Sequence, residues 1–523
     1  MRFSRRDILA TGATALLAAA ARARSAGTIQ SRPVPDWFRD AKFGIWAHWG
    51  PQCVPEMGDW YGRLMYVQGH PHYEHHVRTY GHPSRTGFLD IIGRWKAEEW
   101  QPEYLLRRYQ KAGAKYFVAM ASHHDNLDLF DSAHHAWNTT RVGPKRDIVG
   151  TWDKLVRQTD LKFGVSNHSS HAWHWWQTAY GYDAEGSMKD RRYDAYWLRK
   201  EHGKGTWWEG LDPQELYTGP SFVPPDGIDS VAAMNAWHDP RDGQWLEEAP
   251  QQPAFVRNWL SRQEDLVEKY KPDLVYFDDA GIPFRQTGLQ AVEQFYGHSP
   301  HGVLTAKRLS AEQHALIVED VERGFVADIQ ARPWQTDTCI GQWHYDRPLY
   351  ERGGYKSAKQ VVQRLADVVS KNGCLLLNIP VRGNGSIDEK EEAILDDLAA
   401  WFRINGEAIY GTRPWRRFGE GPTQPPLGHM AESEAKPFVA EDVRFTSKHG
   451  TLFAILLDWP TSEVEIASLG RSQLKNARIE RVTLLGGGSL EFRHDSDALR
   501  LILPAAGRGF VPALRVDGAG LAA

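Results

Sequence analysis

The sequence predicts a (β/α)8-like barrel of the TIM type followed by a C-terminal antiparallel β-sandwich, on three observations. Between about residues 35 and 412, short apolar runs alternate with amphipathic helical patterns, as chained α/β units do. The apolar runs are nearly continuous, which suits parallel strands covered on both faces. Most of them end on polar or aromatic residues, and barrels of this type build their active sites from the C-terminal ends of their strands.

The first 26 residues are set apart from the fold. Arg5-Arg6 precede an alanine-rich apolar stretch from Ile8 to about Ala21, with small residues near Ala23 and Ala26. The stretch falls short of the ~20 apolar residues a spanning helix needs and has the layout of a signal peptide. Ser4-Arg5-Arg6-Asp7-Ile8-Leu9 resembles the bacterial twin-arginine signal. The expected localisation is therefore periplasmic or extracellular, with no membrane span in the mature chain.

Residues 27–415 form the expected barrel. Its strands are "KFGIWAHWG" (42–50), "KYFVAMASHHD" (115–125), "KFGVSNHSS" (162–170), "DLVYFDDAG" (273–281), "HALIVEDVERG" (314–324), "TDTCIGQWHY" (336–345) and "GCLLLNIPVRG" (373–383). Seven are clear, which leaves room for an irregular barrel; "GFLDIIGRW" (87–95) stands as the eighth. Helices are expected at 99–112, 252–271, 357–371 and 388–404, the last capped by Asp388 and stopped at Asn405-Gly406. A doubly wound dinucleotide fold is disfavoured, because no glycine-rich phosphate loop opens a helix after any strand.

Residues 177–251 lack a clear period and are expected to form a long ordered insertion at a substrate entrance. Residues 420–437, rich in Gly, Pro and Glu, are expected to be a linker or long loop. Beyond them, period-two alternation in "DVRFTSKHGTLFAILLDWP", "ARIERVTLLG" and "ALRLILPAA" gives the β-sandwich, assigned to 416–523.

Composition narrows the function. Removing residues 1–26 changes the formal charge from −4 to −8, and no basic stripe remains to attract nucleic acid. Three cysteines, Cys53, Cys339 and Cys374, with no CxxC pair, suggest neither a disulfide framework nor a zinc site and are expected to be buried. The 22 tryptophans are in excess; they suit either sugar C–H faces or a large core.

Two adjacent acids close the run 273–281. At period two, Leu274, Tyr276 and Asp278 share one face and Val275, Phe277 and Asp279 the other. The lumen face then delivers Asp278 to the barrel mouth, while Asp279 is better placed to bond loop amides or a cation such as Arg285 or Arg323. A bulge before Asp278 would swap the roles, and capping of the next turn by both acids is the bland alternative. His123-His124 as adjacent strand residues would face opposite ways and ligate one metal poorly, and "GHPHYEHHV" (69–77) is expected to be a solvated loop.

Several motifs together resemble the α-L-fucosidases of glycoside hydrolase family 29. They are "KFGIWAHWGPQCVPEMGDWYGRLMY", "AGAKYFVAMASHHDNLDLFDS", "KYKPDLVYFDDAG", "SKNGCLLLNIPVRGNGSID" and "INGEAIYGTRPW", in order over about 36–415. The resemblance implies Asp278 as the catalytic nucleophile and a sugar pocket including His48, Asp59, Trp60, His123, His124, Tyr276 and Trp343. It also places an acid/base before a Trp-Glu-Thr-like segment, here "PWQTDTCIG". Glu322, past a strand end and twelve residues before Trp334, matches best, with Glu319 the alternative. Departures from the pattern are Asp59 for the usual Glu, Asp279 for the usual Gly, and "NHSSHAWHWW" where an aromatic and a Glu-Trp pair are common.

The implied function is a retaining exo-glycosidase that releases α-L-fucose from fucosylated oligosaccharides or glycoconjugates through a covalent glycosyl-enzyme, with no cofactor, no metal and no nucleic-acid partner. Three rivals stay open at this stage. They are an α-L-galactosidase-like enzyme on the same fold, a metal-dependent hydrolase using the histidine clusters, and an inactive sugar-binding protein.

Overall fold

The computed structural model describes residues 31–242, 252–475, 477–505 and 509–521. The expected signal segment lies outside the described residues. Eight parallel strands close a barrel in sequence order: β1 Phe43–Ala47, β2 Tyr116–Ser122, β3 Lys162–Asn167, β4 Leu274–Ala280, β5 Val303–Lys307, β6 Val318–Asp320, β7 Trp334–Cys339 and β8 Gly373–Asn378. Strand β1 pairs with both β2 and β8, so the sheet leaves no edge.

The closed ring corrects the eighth strand. "GFLDIIGRW" is a helix, Phe88–Arg94, whose Phe88, Leu89, Ile91 and Ile92 follow helical spacing and are all buried. The Asp90 carboxylate accepts from the Gly87 N–H at 2.9 Å and fixes its start. The missing strand is β5, "VLTAK", whose apolar residues are interrupted by Thr305 and end at Lys307, so it does not register as an apolar run. "GHPHYEHHV" is likewise not a loop: from Pro71 on it belongs to the helix Pro71–Thr79, entered through His70, whose ring accepts from His72 N–H. The insertion expected to lack period carries a helix at Val231–Asp242.

The four expected helices form as Pro102–Lys111, Pro253–Tyr270, Ala358–Ser370 and Glu389–Asn405. Asp388 caps the last, accepting from the N–H groups of Lys390 and Glu391 at 2.9 Å. Side chains alternate as expected along the strands. Trp46, Tyr116, Val118, Leu274, Tyr276, Val303, Val318, Cys374 and Leu376 fill the lumen. Phe43, Ile45, Phe117, Phe163, Val165, Val275, Phe277, Leu304, Leu375 and Leu377 pack beneath the helices.

The lumen also carries a polar ladder. Tyr116 Oη donates to Gln335 Oε1 at 3.2 Å, Gln335 Nε2 to Asp320 Oδ2 at 2.7 Å, and Tyr276 Oη to Asp337 Oδ2 at 2.9 Å. Most of the tryptophan excess is core: Trp49, Trp95, Trp137, Trp152, Trp175, Trp176 and Trp259 are all fully buried. All three cysteines are buried and unpaired.

The C-terminal region comprises a six-stranded antiparallel sheet and a three-stranded one that share a single apolar core. The large sheet begins at strand β9, Arg413–Glu420, and continues into β10, Val443–Lys448. It is fastened to the barrel helix Ala358–Ser370 by a buried ion cluster. Arg444 Nε lies 2.7 Å from Asp367 Oδ1, and Lys371 Nζ lies 3.0 Å from the same oxygen. No helix among the described residues is long and apolar enough to cross a membrane.

Candidate active site

A cavity of about 590 Å³ opens at the C-terminal ends of the barrel strands. Strand β1 supplies Trp46 and, just beyond its end, His48; the following loop supplies Asp59 and Trp60. His123 and His124 follow β2, and His168 and His171 follow β3. Asp278 and Asp279 come from β4, Lys307 and Arg308 from the end of β5, Glu322 from beyond β6. Asp337 of β7, then Trp343 and His344, complete the barrel's share. Chain positions almost 300 residues apart converge here because every strand points its C-terminal end the same way.

Strand β4 is bulged, the event that could have exchanged the two acids. Tyr276 pairs with Thr305 and Ala280 with Lys307, so four steps on β4 oppose two on β5. Two extra residues preserve the parity of the strand. Asp278 therefore stays on the lumen side with Tyr276, where three nitrogens surround its carboxylate. Lys307 Nζ bonds its Oδ1, while His168 Nδ1 lies 2.9 Å and His124 Nε2 3.3 Å from its Oδ2. Burial pushes the Asp278 carboxyl up, but Lys307 and His168 outweigh it and hold the group well below the usual carboxylate range. Asp279 finds its partners in Ser170 Oγ, at 2.8 Å, and His171 Nε2, at 2.9 Å. Arg323, one of the cations expected for Asp279, instead lies 3.5 Å from Glu432.

Lys307 is the hub. Its ammonium also donates to Glu322 Oε2 at 2.7 Å, so one cation joins the two acids. Burial would lower its pKa, yet Asp278, Glu322 and Asp337 together raise it well above the lysine value and keep it charged. Beneath it, burial and the neighbouring acids push Asp337 well above the carboxylate range, and burial lifts Asp320 to about 6. Both shifts favour the neutral carboxyl forms on the lumen floor, which limits the negative charge around a single ammonium.

The histidines form a buried nest. Ring centroids of His48 lie 5.0 Å from His123, 4.9 Å from His168 and 4.8 Å from His344. Burial first, and mutual repulsion second, keep His48 and His123 far below the histidine range, and burial lowers His124 to about 4. Neutral rings give one donor and one acceptor each, suited to hydroxyl groups. His124 Nδ1 donates to the His168 carbonyl at 2.8 Å, which leaves its Nε2 and Asp278 Oδ2 as neighbouring acceptors with room for one shared donor.

Neither His123 nor His124 turns away, because β2 ends at Ser122 and strand alternation no longer governs them. Ring nitrogens of His48, His123 and His344 lie within 4.8 Å of one another, as do those of His123, His124 and His168. Among the described residues these are the two sets whose ring nitrogens stand close enough to share a metal that prefers imidazole.

Of the other expected residues, Asp59 accepts from the backbone N–H groups of Trp343 and His344 at 3.2 and 2.7 Å and fixes that loop. Trp60 packs edge-on to His124, and Trp343 lies 5.6 Å from Trp46. Two residues stand apart from the cavity wall. Tyr276 lies one layer down, fully buried beneath it, with its hydroxyl on Asp337. Glu319 faces outward from β6 and meets His314 at 3.2 Å. Sequence reasoning did not find Lys307, Arg308, His168 or His344 as site residues. Lys307 and Arg308 follow the unrecognised strand, whereas His168 and His344 stood at recognised strand ends and could have been taken from that position alone.

Known proteins resemble this chain throughout. Residues 13–407 match the family model described as "Alpha-L-fucosidase", and residues 436–513 that of the "Alpha-L-fucosidase C-terminal domain". The tissue alpha-L-fucosidase of Homo sapiens is 27% identical over 501 residues, covering 93% of this chain and 88% of that protein. The alpha-L-fucosidase of Branchiostoma floridae is 26% identical over 475 residues, covering 88% of this chain and 86% of that protein. The crystal structure of Thermotoga maritima alpha-fucosidase in complex with fucose superposes with a TM-score of 0.67. It shares 25% identity and covers 92% of this chain and 97% of that one.

Proposed function

This chain belongs to the α-L-fucosidase family and is a glycoside hydrolase of that specificity, and from that premise we propose that it works by double displacement on Asp278 and Glu322. An Asp278 carboxylate oxygen attacks the anomeric carbon of an α-L-fucosyl unit. The glycosidic C–O bond breaks as Glu322 gives its proton to the leaving oxygen. Glu322, now a carboxylate, takes a proton from water. The water oxygen attacks the same carbon, the ester bond to Asp278 breaks, and fucose leaves with retained configuration.

The observation that carries this reading is the shared ammonium of Lys307. Two N–H···O bonds from one nitrogen keep the two acceptor oxygens within about 6 Å. That suits the roughly 5–5.5 Å of retaining glycosidases better than the wider inverting spacing. The buried histidines around Asp278 supply polar ring nitrogens for the sugar hydroxyls, and Trp46, Trp60 and Trp343 supply apolar surface for its C–H faces and methyl.

Asp278→Gly tests the assignment. It should abolish turnover of an aryl α-L-fucoside, and azide, small enough for the space left, should restore aglycone release and give a fucosyl azide. Wild-type turnover by the variant without azide would refute it. We further propose export by the twin-arginine route, on Arg5-Arg6 and the apolar stretch after them. The enzyme should be recovered folded outside the inner membrane and stay in the cytoplasm when both arginines become lysines; unaltered export of that variant would contradict the route.

A further inference from the structure

The mechanism assigns no residue of the cavity to the leaving group beyond Glu322. Asp278 and the histidines surround one end, and Glu322 marks the other, because the acid of such a hydrolase stands on the leaving-group side. That side is closed by residues from outside the barrel. The segment between β9 and β10 turns back over the strand ends. Phe325 and Gly428 pair there as an antiparallel bridge, Met430 N–H donates to the Glu322 carbonyl at 2.8 Å, and Glu432 N–H to the Arg323 carbonyl at 2.9 Å.

Gly324 permits the approach: a Cβ there would sit 2.1 Å from the Gly428 carbonyl oxygen. Glu432 anchors it, accepting from Thr338 Oγ1 at 2.8 Å with Lys356 Nζ at 3.1 Å. The anchored segment presents His429 and Met430 to the cavity. Met430 adopts a left-handed φ of 59° while 53% exposed, so neither backbone preference nor core packing accounts for a methionine at that position. His429 is half-buried near Arg308, Lys307 and Glu322, and its Nδ1 is a buried atom with no hydrogen-bond partner. Both residues fall between the two ranges matched by the family, so membership does not explain them.

We propose that His429 and Met430 form a leaving-group subsite for a glycosyl aglycone. The Met430 thioether covers a pyranose C–H face, while the His429 ring and Arg308 meet its hydroxyls. The subsite rests on the fucosidase mechanism above, and on Glu322 as the acid.

The test compares α-L-fucosyl fluoride, whose leaving group is too small to reach Met430, with α-fucosyl disaccharides of (1→2), (1→3), (1→4) and (1→6) linkage. Met430→Gly removes the side chain and suits the left-handed backbone, so folding is not at risk. For the preferred disaccharide, the ratio of kcat/KM to that of the fluoride should fall about tenfold, the consequence of losing roughly one apolar side chain's contact. His429→Ala should lower the same ratio, and Met430→Leu should retain it. A ratio equal to wild type in Met430→Gly and His429→Ala, including an equal loss on both substrates, overturns the subsite. A wild type that cleaves the fluoride but no disaccharide overturns the subsite and spares the mechanism. One inert to both overturns the two together.

Discussion

Replacing Lys307 by methionine removes the cation between the two acids while keeping most of the side chain's volume. Lys307 Nζ is bonded to Asp278 and lies 2.7 Å from Glu322 Oε2. At about 3 Å and an effective dielectric near 20, the attraction to one carboxylate is roughly 5 kcal/mol. Water entering the gap, and His168 remaining 2.9 Å from Asp278, reduce the effect. Neighbouring charges of this type shift carboxyl groups by about 1–3 pH units. The sign is fixed: Lys307 favours the charged form of Asp278 and depresses its pKa, so removing it moves that pKa up. The acid limb of kcat/KM for α-L-fucosyl fluoride should therefore rise by about 1–3 pH units. Lys307→Arg should keep the limb near the wild-type position. The folding contribution of the depressed Asp278 is present above the unfolded carboxylate pKa and lost as pH falls through the folded value; in Lys307→Met most of it should disappear. Fluoride release measured from pH 3 to 9 decides the matter. An acid limb left in place in Lys307→Met would show that Lys307 does not set the ionisation of Asp278.

The two acid/base candidates separate in the same assay format. Glu322→Ala should lower kcat on a fucosyl disaccharide by about 10²–10⁴-fold and affect the fluoride far less, since fluoride leaves without protonation; Glu319→Ala, which removes only an outward contact to His314, should stay within about twofold of wild type, and the opposite ranking would transfer the role. Asp367→Ala strands buried Arg444 and Lys371 and should cost about 3–5 kcal/mol in denaturant unfolding, against less than about 1 kcal/mol if the cluster behaves as exposed pairs do. Burial pushes Asp367 up, but Arg444 and Lys371 hold it below the carboxylate range, so this contribution should be lost as acid protonates it and kept at neutral pH.

The barrel and the C-terminal sheets were legible because they depend on local patterns. Seven strands and four helices announced themselves through apolar runs, period and caps, and the strand alternation that puts Tyr276 and Asp278 on one face survived a bulge. Strand β5 was not legible: in Val303–Lys307 a threonine and a lysine break the apolar pattern, and its pairing with β4 and β6 defines it. With it went Lys307. "GFLDIIGRW" failed in the opposite direction, because eight or nine apolar-rich residues satisfy helix and strand templates equally until packing chooses.

By itself, then, the sequence determined the α/β architecture, the strand-end acid at Asp278 and the concentration of histidines on strands that end together. The tertiary structure alone decided that His48, His123, His168 and His344 share one buried nest, that Lys307 stands between Asp278 and Glu322, and that a segment expected to be a linker brings His429 and Met430 to the cavity. Periodicity reports which way a side chain points from its own strand. Which groups from distant strands come within a few ångströms, and therefore which charges and protons they hold, is fixed only by closing the sheet and burying its ends.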